Sequence, residues 1–257
     1  MRAIWSGAIG FGLVNIPVKL LSATQEETLD LDMLDRRDHA AIKYHRVNAD
    51  TGREVAWDDI VKGFKTDSGY VILEDSDFEQ ASPEQTKMIE IGEFVEETDI
   101  DPSFFETVYF LQPDKSGARA YALLRDALKK TGKAGAGSFV LRNRESPVLV
   151  RPSGNVLLLH RLRFANELRD PAEVTVPAAR VRPDELKMAV DLIGQMSESF
   201  DPSRYHDTYN EKLLKLIRAK EKGKKPATKV VRVPTAESRD LLSRLRESLA
   251  GTTKKVS

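Results

Sequence analysis

The 257-residue sequence predicts an α+β fold in which an antiparallel sheet or barrel comes first and helices follow. Short apolar and alternating segments up to residue 111 indicate strands. One amphipathic helix at 116–131 interrupts them, and three more strands come after it. From Pro183 onward the apolar residues recur at helical spacing. The order of strands, one helix and more strands favours the antiparallel sheet or barrel.

The opening segment, residues 1–24, is apolar but contains five residues that break a helix: Gly7, Gly10, Gly12, Asn15 and Pro17. A membrane-spanning helix needs about 20 apolar residues in a row, so the segment is a poor span. A secretory signal also fits poorly, because Lys19 interrupts the apolar core and bulky Leu21 stands where a small residue is required. We therefore predict a β-strand and a glycine-bearing turn within a folded domain.

The next part of the chain, to about residue 75, is expected to be β-rich, with apolar runs at 41–44 and 70–73. Residues 48–52 and 67–69 carry the Asn, Asp and Gly of tight turns. The elements expected after them are short helical turns at 75–81 and 83–88, and strands at 88–95 and 104–111.

The mid-chain helix, 116–131, places Tyr121, Leu124 and Leu128 at spacings of 3 and 4 on one face. The glycine-rich run 132–137 is predicted to be a loop. The strands expected after it are 138–142, 147–151 and 155–163.

The helical part is expected to begin with an amphipathic helix at 184–200, followed by a second helix that starts at Asp201-Pro202 and runs to about 222. Residues 223–234 form a basic linker. A last short helix, 235–249, brings together four leucines: Leu241, Leu242, Leu245 and Leu249.

The composition excludes several kinds of site. The absence of cysteine excludes disulfides, cysteine-ligated zinc and thiol nucleophiles. The zero net charge hides opposed blocks, since residues 74–114 hold 13 acids and one base, whereas 115–182 hold 14 bases and 5 acids. Such blocks predict either a basic surface separated from an acidic one, or ordinary solvated faces.

Motifs of catalysis are scarce. The sequence has no GxxxxGK[ST] or HExxH motif, its four histidines are scattered, and the acid pair Asp58-Asp59 is merely adjacent in sequence. An enzyme acting on nucleic acid or on a small acidic substrate remains an alternative. A single-strand or RNA-binding module is another.

Basic side chains among aromatic residues are the best candidates for a functional surface, because they can hold phosphates by charge without reading bases. The alternative is an ordinary soluble surface. The candidates are Lys43, Arg46, Arg53, Lys62, Lys65, Lys129, Lys130, Lys133, Arg142 and Arg144.

Several motifs in order resemble one family. They are AIWSGAIGFGLVNIPVKL at 3–20, YHRVNADTGREV at 44–55, DIVKGF at 59–64, YVIL at 70–73, VYFLQP at 108–113 and DPSRYHDTY at 201–209. Together they resemble bacterial Ku, the ring-shaped homodimer that binds DNA ends in non-homologous end joining.

The resemblance implies a β-barrel core with a bridging β-rich arm to about residue 182, then a helical arm at about 183–222 that embraces a second copy. It implies a ring that threads onto double-stranded DNA ends and binds them without sequence preference. It also implies a cytoplasmic, nucleoid-associated protein. It implies no enzyme activity, no cofactor and no membrane. The tail, 223–257, is similar to segments that recruit DNA ligase D, with the four leucines as anchors; packing of this helix on its own core is the alternative.

The sequence departs from the family at one turn. Some members carry CxxC there, whereas this chain has Asn48 and Thr51. We therefore expect no structural zinc and a turn held by Asp50, Thr51 and Gly52.

Overall fold

The computed structural model of the chain describes residues 1–25, 29–83 and 86–223. The chain divides into two compact units, one of residues 1–173 and one that begins at Val174.

The first unit is built on a closed barrel of seven strands, which confirms the predicted barrel. The barrel strands are β1 (Ala3–Phe11), β2 (Val14–Ser22), β5 (Met88–Glu96), β6 (Phe105–Pro113), β7 (Lys133–Leu141), β8 (Arg144–Ser153) and β9 (Val156–Leu162). Their order around the barrel is β1-β2-β6-β9-β8-β7-β5. A separate hairpin consists of β3 (Lys62–Thr66) and β4 (Gly69–Leu73), followed by helix α1 (Asp75–Ala81).

The opening segment forms two barrel strands rather than one. β1 and β2 pair from Ala3–Leu21 to Phe11–Val14, and Gly12 turns the chain with a φ of 56°. A positive φ at this position suits glycine, which has no Cβ. The predicted strand and glycine turn are therefore confirmed and extended to a hairpin.

The barrel closes along a short seam. All other neighbouring strands are antiparallel, but β1 and β5 are parallel and pair only over Ala8–Gly10 and Met88–Glu90. Near the seam, Gly137 of β7 lies against the backbone of Glu90, leaving no room for a Cβ. Glycine is thus required where these backbones approach closely.

Helix α2 (Ala118–Thr131) covers one end of the barrel. Tyr121, Leu124 and Leu128 are buried in the same cluster as the inward-facing residues of the strands, as their spacing predicts. The Tyr121 hydroxyl donates to the Leu111 carbonyl at 2.7 Å and accepts from the Leu157 N–H at 2.6 Å. It thereby joins the helix to β6 and β9, and burial raises the pKa of this phenol.

The predicted loop at 132–137 is wrong. Gly132 ends α2 with a φ of 68°, and β7 begins at the next residue, Lys133. The small residues serve close packing, since a Cβ on Gly135 would meet the side chain of Ile91 on β5 at about 3 Å. A glycine-rich run in a strand indicates such close approach as well as a loop.

The β-rich arm, which is the segment between β2 and β5, is less regular than expected. The predicted strand at 70–73 and the helical turn at 75–81 are confirmed by β4 and α1, but residues 41–44 form only one isolated bridge, Leu34–Ala41. The predicted helical turn at 83–88 lies partly outside the described residues, and its last residue, Met88, begins β5.

The turn at 48–52 is organised by the residue that replaces the first cysteine of CxxC. The Asn48 side chain accepts from the backbone N–H groups of Asp50 and Thr51, both at 3.0 Å, and Gly52 adopts a φ of 67°. The roles predicted for Gly52 and Thr51 are confirmed, because the Thr51 hydroxyl also accepts from the Arg53 N–H at 3.4 Å. Asp50 contributes its backbone N–H to Asn48.

The second unit contains α3 (Pro183–Met196) and α4 (Thr208–Glu221). Helix α3 ends before the predicted residue 200. The predicted cap at Asp201 and the first helical position at Pro202 are confirmed, but the helix they begin is only a short 3-10 helix, Pro202–Arg204. Helix α4 begins after Asp207, whose carboxylate accepts from the N–H groups of Tyr209 and Asn210. The leucines of 235–249 lie outside the described residues.

Candidate nucleic-acid interface

The arm carries five of the predicted basic residues, all exposed: Lys43, Arg46, Arg53, Lys62 and Lys65. Two of them rest on aromatic rings. The Arg46 guanidinium lies 4.3 Å from the centre of the Trp57 ring, and the Lys62 ammonium lies 4.3 Å from that of Phe78. A cation over a ring is held in place while its N–H groups stay accessible to an anion.

A second group lies at the end of the barrel that α2 covers. Lys129 and Lys130 are exposed in the last turn of α2. Lys133, which falls in the predicted loop 132–137, is instead the first residue of β7, where its ammonium lies 3.3 Å from Glu96. This pairing leaves Lys133 a weaker candidate for phosphate binding than its two neighbours.

A third group lies at the hairpin between β7 and β8. Arg142 and Asn143 form its turn with φ values of 53° and 64°, as in the type I′ turn that suits a two-residue hairpin. Arg144 begins β8 and donates to Glu167 at 2.8 Å. Arg142, the last residue of the predicted strand 138–142, thus lies in the turn.

The structure does not bring the barrel groups together. Lys133 and Arg142 stand at opposite ends of β7, which has nine residues, and at the usual rise per residue their backbones are roughly 30 Å apart. A single phosphate cannot contact both groups, so they are separate candidate sites.

Sequence reasoning missed two arginines beside the third group. Arg161 holds the Glu106 carboxylate with two hydrogen bonds, at 3.0 and 2.6 Å, and Arg163 donates to the carbonyls of Ser103 and Phe105. The hydrogen bond from Arg161, with the positive charges of Arg161, Arg163 and Arg144, lowers the pKa of Glu106 against the opposing effect of desolvation. The alternation along β9 could have identified Arg161, because Leu157, Leu159 and Arg161 follow one another on the inward face of this strand.

The opposed charge blocks do not form separate surfaces. Strands of the acidic block lie beside strands of the basic block in the barrel, β5 beside β7 and β6 beside β9. Three ion pairs join the two blocks: Lys133–Glu96, Arg151–Glu97 and Arg161–Glu106. Of the two alternatives, separate basic and acidic surfaces are therefore not favoured in the barrel, and ordinary solvated faces are.

Metal-binding groups, the acid pair and membrane-spanning helices can be assessed for the described residues alone. Within ranges 1–25, 29–83 and 86–223, no group of three His, Asp or Glu side chains is placed to hold a metal ion. Asp58 and Asp59 are exposed in a short 3-10 helix. Over the same ranges, every helix is too short or too polar to cross a membrane.

Comparisons with known proteins agree with this architecture. The family model of the Ku70/Ku80 beta-barrel domain matches residues 10–188, from the end of β1 into α3. The non-homologous end joining protein Ku of Opitutus terrae is 41% identical over 223 residues, 86% of this chain and 80% of that protein. The protein of the same name from Bacillus subtilis is 37% identical over 254 residues, 97% of this chain and 82% of that protein. That of Pseudomonas aeruginosa is 40% identical over 224 residues, 85% and 76% of the two chains.

Proposed function

The chain belongs to the Ku family, and on that premise we propose that it binds the ends of double-stranded DNA in non-homologous end joining. It holds and protects the ends by contacting phosphates and performs no chemistry itself. The observation that carries this proposal is the pair of exposed cations resting on aromatic rings, Arg46 on Trp57 and Lys62 on Phe78. Phosphate contacts of this kind give affinity without sequence preference.

Two copies are proposed to form a ring that threads onto a DNA end. The β3–β4 hairpin exposes large apolar side chains, with Phe64 67%, Tyr70 68% and Ile72 53% accessible. A two-stranded hairpin is marginally stable in water when nothing covers it. Helix α3 likewise exposes its apolar stripe. A second copy that covered both features would stabilise them and close the ring.

The proposed division of labour follows the chain. Residues 1–222 form the DNA-binding core, in which the barrel and arm extend to about 182 and the dimerisation arm covers about 183–222. For residues 223–257, which lie outside the described residues beyond Gly223, we propose a basic linker and a short helix that recruits DNA ligase D through Leu241, Leu242, Leu245 and Leu249. The protein is expected to work in the cytoplasm, in association with the nucleoid.

The proposal is tested by comparing linear and covalently closed circular duplexes of one sequence, alongside a mass measurement of the free protein. A threaded ring requires tight binding to the linear form, weak binding to the circle, and the mass of two chains. Equal affinity for both forms would contradict threading, and stronger binding to single strands would favour a different module.

The arm contacts are tested by Lys62→Gln, with Lys115→Gln as the matched control. Lys115 is also exposed but lies in the turn before α2, away from the arm. Removal of one phosphate contact should weaken binding equally for all sequences and reduce the slope of log affinity against log salt by about 1. An unchanged slope would remove Lys62 from the interface.

A further inference from the structure

The end of the barrel opposite α2 is open and contains a cavity. Its volume is about 300 Å³, and it is lined by Ile4, Tyr109, Leu141, Arg142, Arg144 and Arg161. These residues come from β1, β6, β8, β9 and the β7–β8 hairpin, so they surround the barrel opening. We call this site the open mouth.

The cavity of the open mouth is blind. Side chains of a strand alternate between its two faces, so Arg144, Leu141 and Arg161 share the inward face with Ser146, Phe139 and Leu159. Those three next residues are buried, with at most 5% of each accessible. The barrel interior beyond them is filled by the apolar core. A continuous strand cannot run through such a cavity, but the end of a strand can enter it.

The side chains of the open mouth suit a phosphate attached to a ring. Tyr109 and Leu141 pack against the core and supply an apolar floor. Arg161 uses its Nε and one terminal nitrogen on Glu106, which leaves its other terminal nitrogen for a further acceptor. Arg144 binds Glu167 through one terminal nitrogen. Each carboxylate thus fixes an arginine without using all of its donors.

The charge of the open mouth stays positive after these pairs are counted. Three arginines, Arg142, Arg144 and Arg161, line the cavity, and two carboxylates, Glu167 and Glu106, are paired with two of them. Arg142 forms no ion pair with any residue that the structure describes. A terminal phosphomonoester carries close to two negative charges at neutral pH, whereas a phosphodiester within a strand carries one. Converging guanidinium groups therefore favour the terminal group.

We propose that the open mouth binds a nucleotide that ends in a phosphomonoester, with the arginines on the phosphate and the sugar or base on the apolar floor. The nucleotide is supplied by the terminus of a DNA strand or by the free nucleotide pool. The strand-terminus form rests on the proposed function, and it adds a preference for phosphorylated ends.

The test uses the full chain and two linear duplexes that differ only in having a 5′-phosphate or a 5′-hydroxyl. Charge-assisted hydrogen bonds of this type predict about tenfold tighter binding of the phosphorylated duplex. The preference should disappear in Arg142→Asn, which tolerates the positive φ of this position, and in Arg144→Gln. Arg119→Gln removes the same charge from an exposed site on α2 at the covered end and should leave the preference intact.

A second arm measures binding of deoxyadenosine monophosphate in the absence of DNA, with deoxyadenosine and inorganic phosphate as comparisons. Binding that is lost in Arg142→Asn, without any preference between the two duplexes, assigns the site to free nucleotides. Equal binding of inorganic phosphate and the nucleotide would show that the sugar and base make no favourable contact with the apolar floor, and would overturn that part of the proposal. The whole proposal is overturned if neither the duplex ends nor the nucleotide depend on Arg142 and Arg144. Tighter binding of linear than circular DNA would still hold in that case, so the end-binding function is tested separately.

Discussion

At one end of the barrel, α2 buries Tyr121 and Leu124 against the core, whereas Arg144 and Arg161 surround a cavity at the other. The same strands supply both ends. Inward stripes such as Leu157, Leu159, Arg161 change from apolar to basic along a single strand of seven residues. One end of the barrel thus supplies stability, and the other keeps charged groups accessible at little cost to the fold.

The largest effect should come from the covered end. Leu124→Ala removes a side chain that is 4% accessible, and the loss of burial together with the new cavity should lower the free energy of unfolding by about 2–5 kcal/mol. Leu123, on the same helix, is 71% accessible, and Leu123→Ala should change stability by less than about 0.5 kcal/mol. Urea denaturation measures both. Equal losses would mean that α2 does not close the barrel.

Removal of the Tyr121 hydroxyl tests the polar link of the same helix. Tyr121→Phe leaves the buried Leu111 carbonyl and Leu157 N–H without this partner, and should cost about 1–3 kcal/mol of unfolding free energy. Hydrogen exchange at the Leu157 amide should accelerate in the variant. Unchanged exchange there would show that water replaces the hydroxyl.

His160, in strand β9 of the barrel wall, should make the free energy of unfolding depend on pH. Burial, with the nearby charge of Arg151, lowers the pKa of His160 to about 4, and its Nε2 accepts from the Arg151 guanidinium at 2.9 Å. The unfolded chain therefore binds a proton near pH 6.5, before the folded chain does. Stability should fall as the pH drops below 6.5, by about 1 kcal/mol between pH 7 and 5 from this residue, since water screens part of the effect at a half-buried side chain.

The contribution of His160 is isolated by His160→Gln, because Gln keeps an acceptor for Arg151 but does not titrate. The carboxylates titrate in both proteins, so the difference between their pH profiles reports His160. Parallel profiles between pH 7 and 5 would contradict a neutral, half-buried His160.

The smallest effect on stability is expected at the open mouth. The Arg144–Glu167 pair is exposed, with 60% of the arginine side chain accessible, so Arg144→Gln should change the free energy of unfolding by at most about 1 kcal/mol. The same variant is expected to lose the preference for phosphorylated ends. A large loss of stability would instead make Arg144 a structural residue and remove the contrast between the two ends.

Sequence patterns predicted the covered end better than the open one. The spacing of Tyr121, Leu124 and Leu128 identifies the buried face of α2, because helical periodicity is a local property. The reason for a small residue can lie far away in the sequence. Gly135 is needed because a larger side chain would collide with Ile91 of the neighbouring strand. The predicted loop at 132–137 failed for this reason.

The candidate site shows the same limit. Sequence reasoning identified Arg142 and Arg144 because they are basic residues close together at the connection between two predicted strands. It missed Arg161, whose partner Glu106 is 55 residues away in the sequence. The interleaving of acidic and basic strands was equally invisible, since β5 and β7 become neighbours only when the barrel closes.

The three-residue seam between β1 and β5 has a mechanical consequence. Residues 23–87 leave the barrel after β2 and return through Lys87, whose carbonyl accepts from the Ala8 N–H at 3.1 Å. A force that pulled this insertion away from the barrel would act directly on these few hydrogen bonds. The hydrogen bonds at the Ala8 and Gly10 amides should therefore be the first in the barrel wall to break under load. The seam would then open before the rest of the core unfolds.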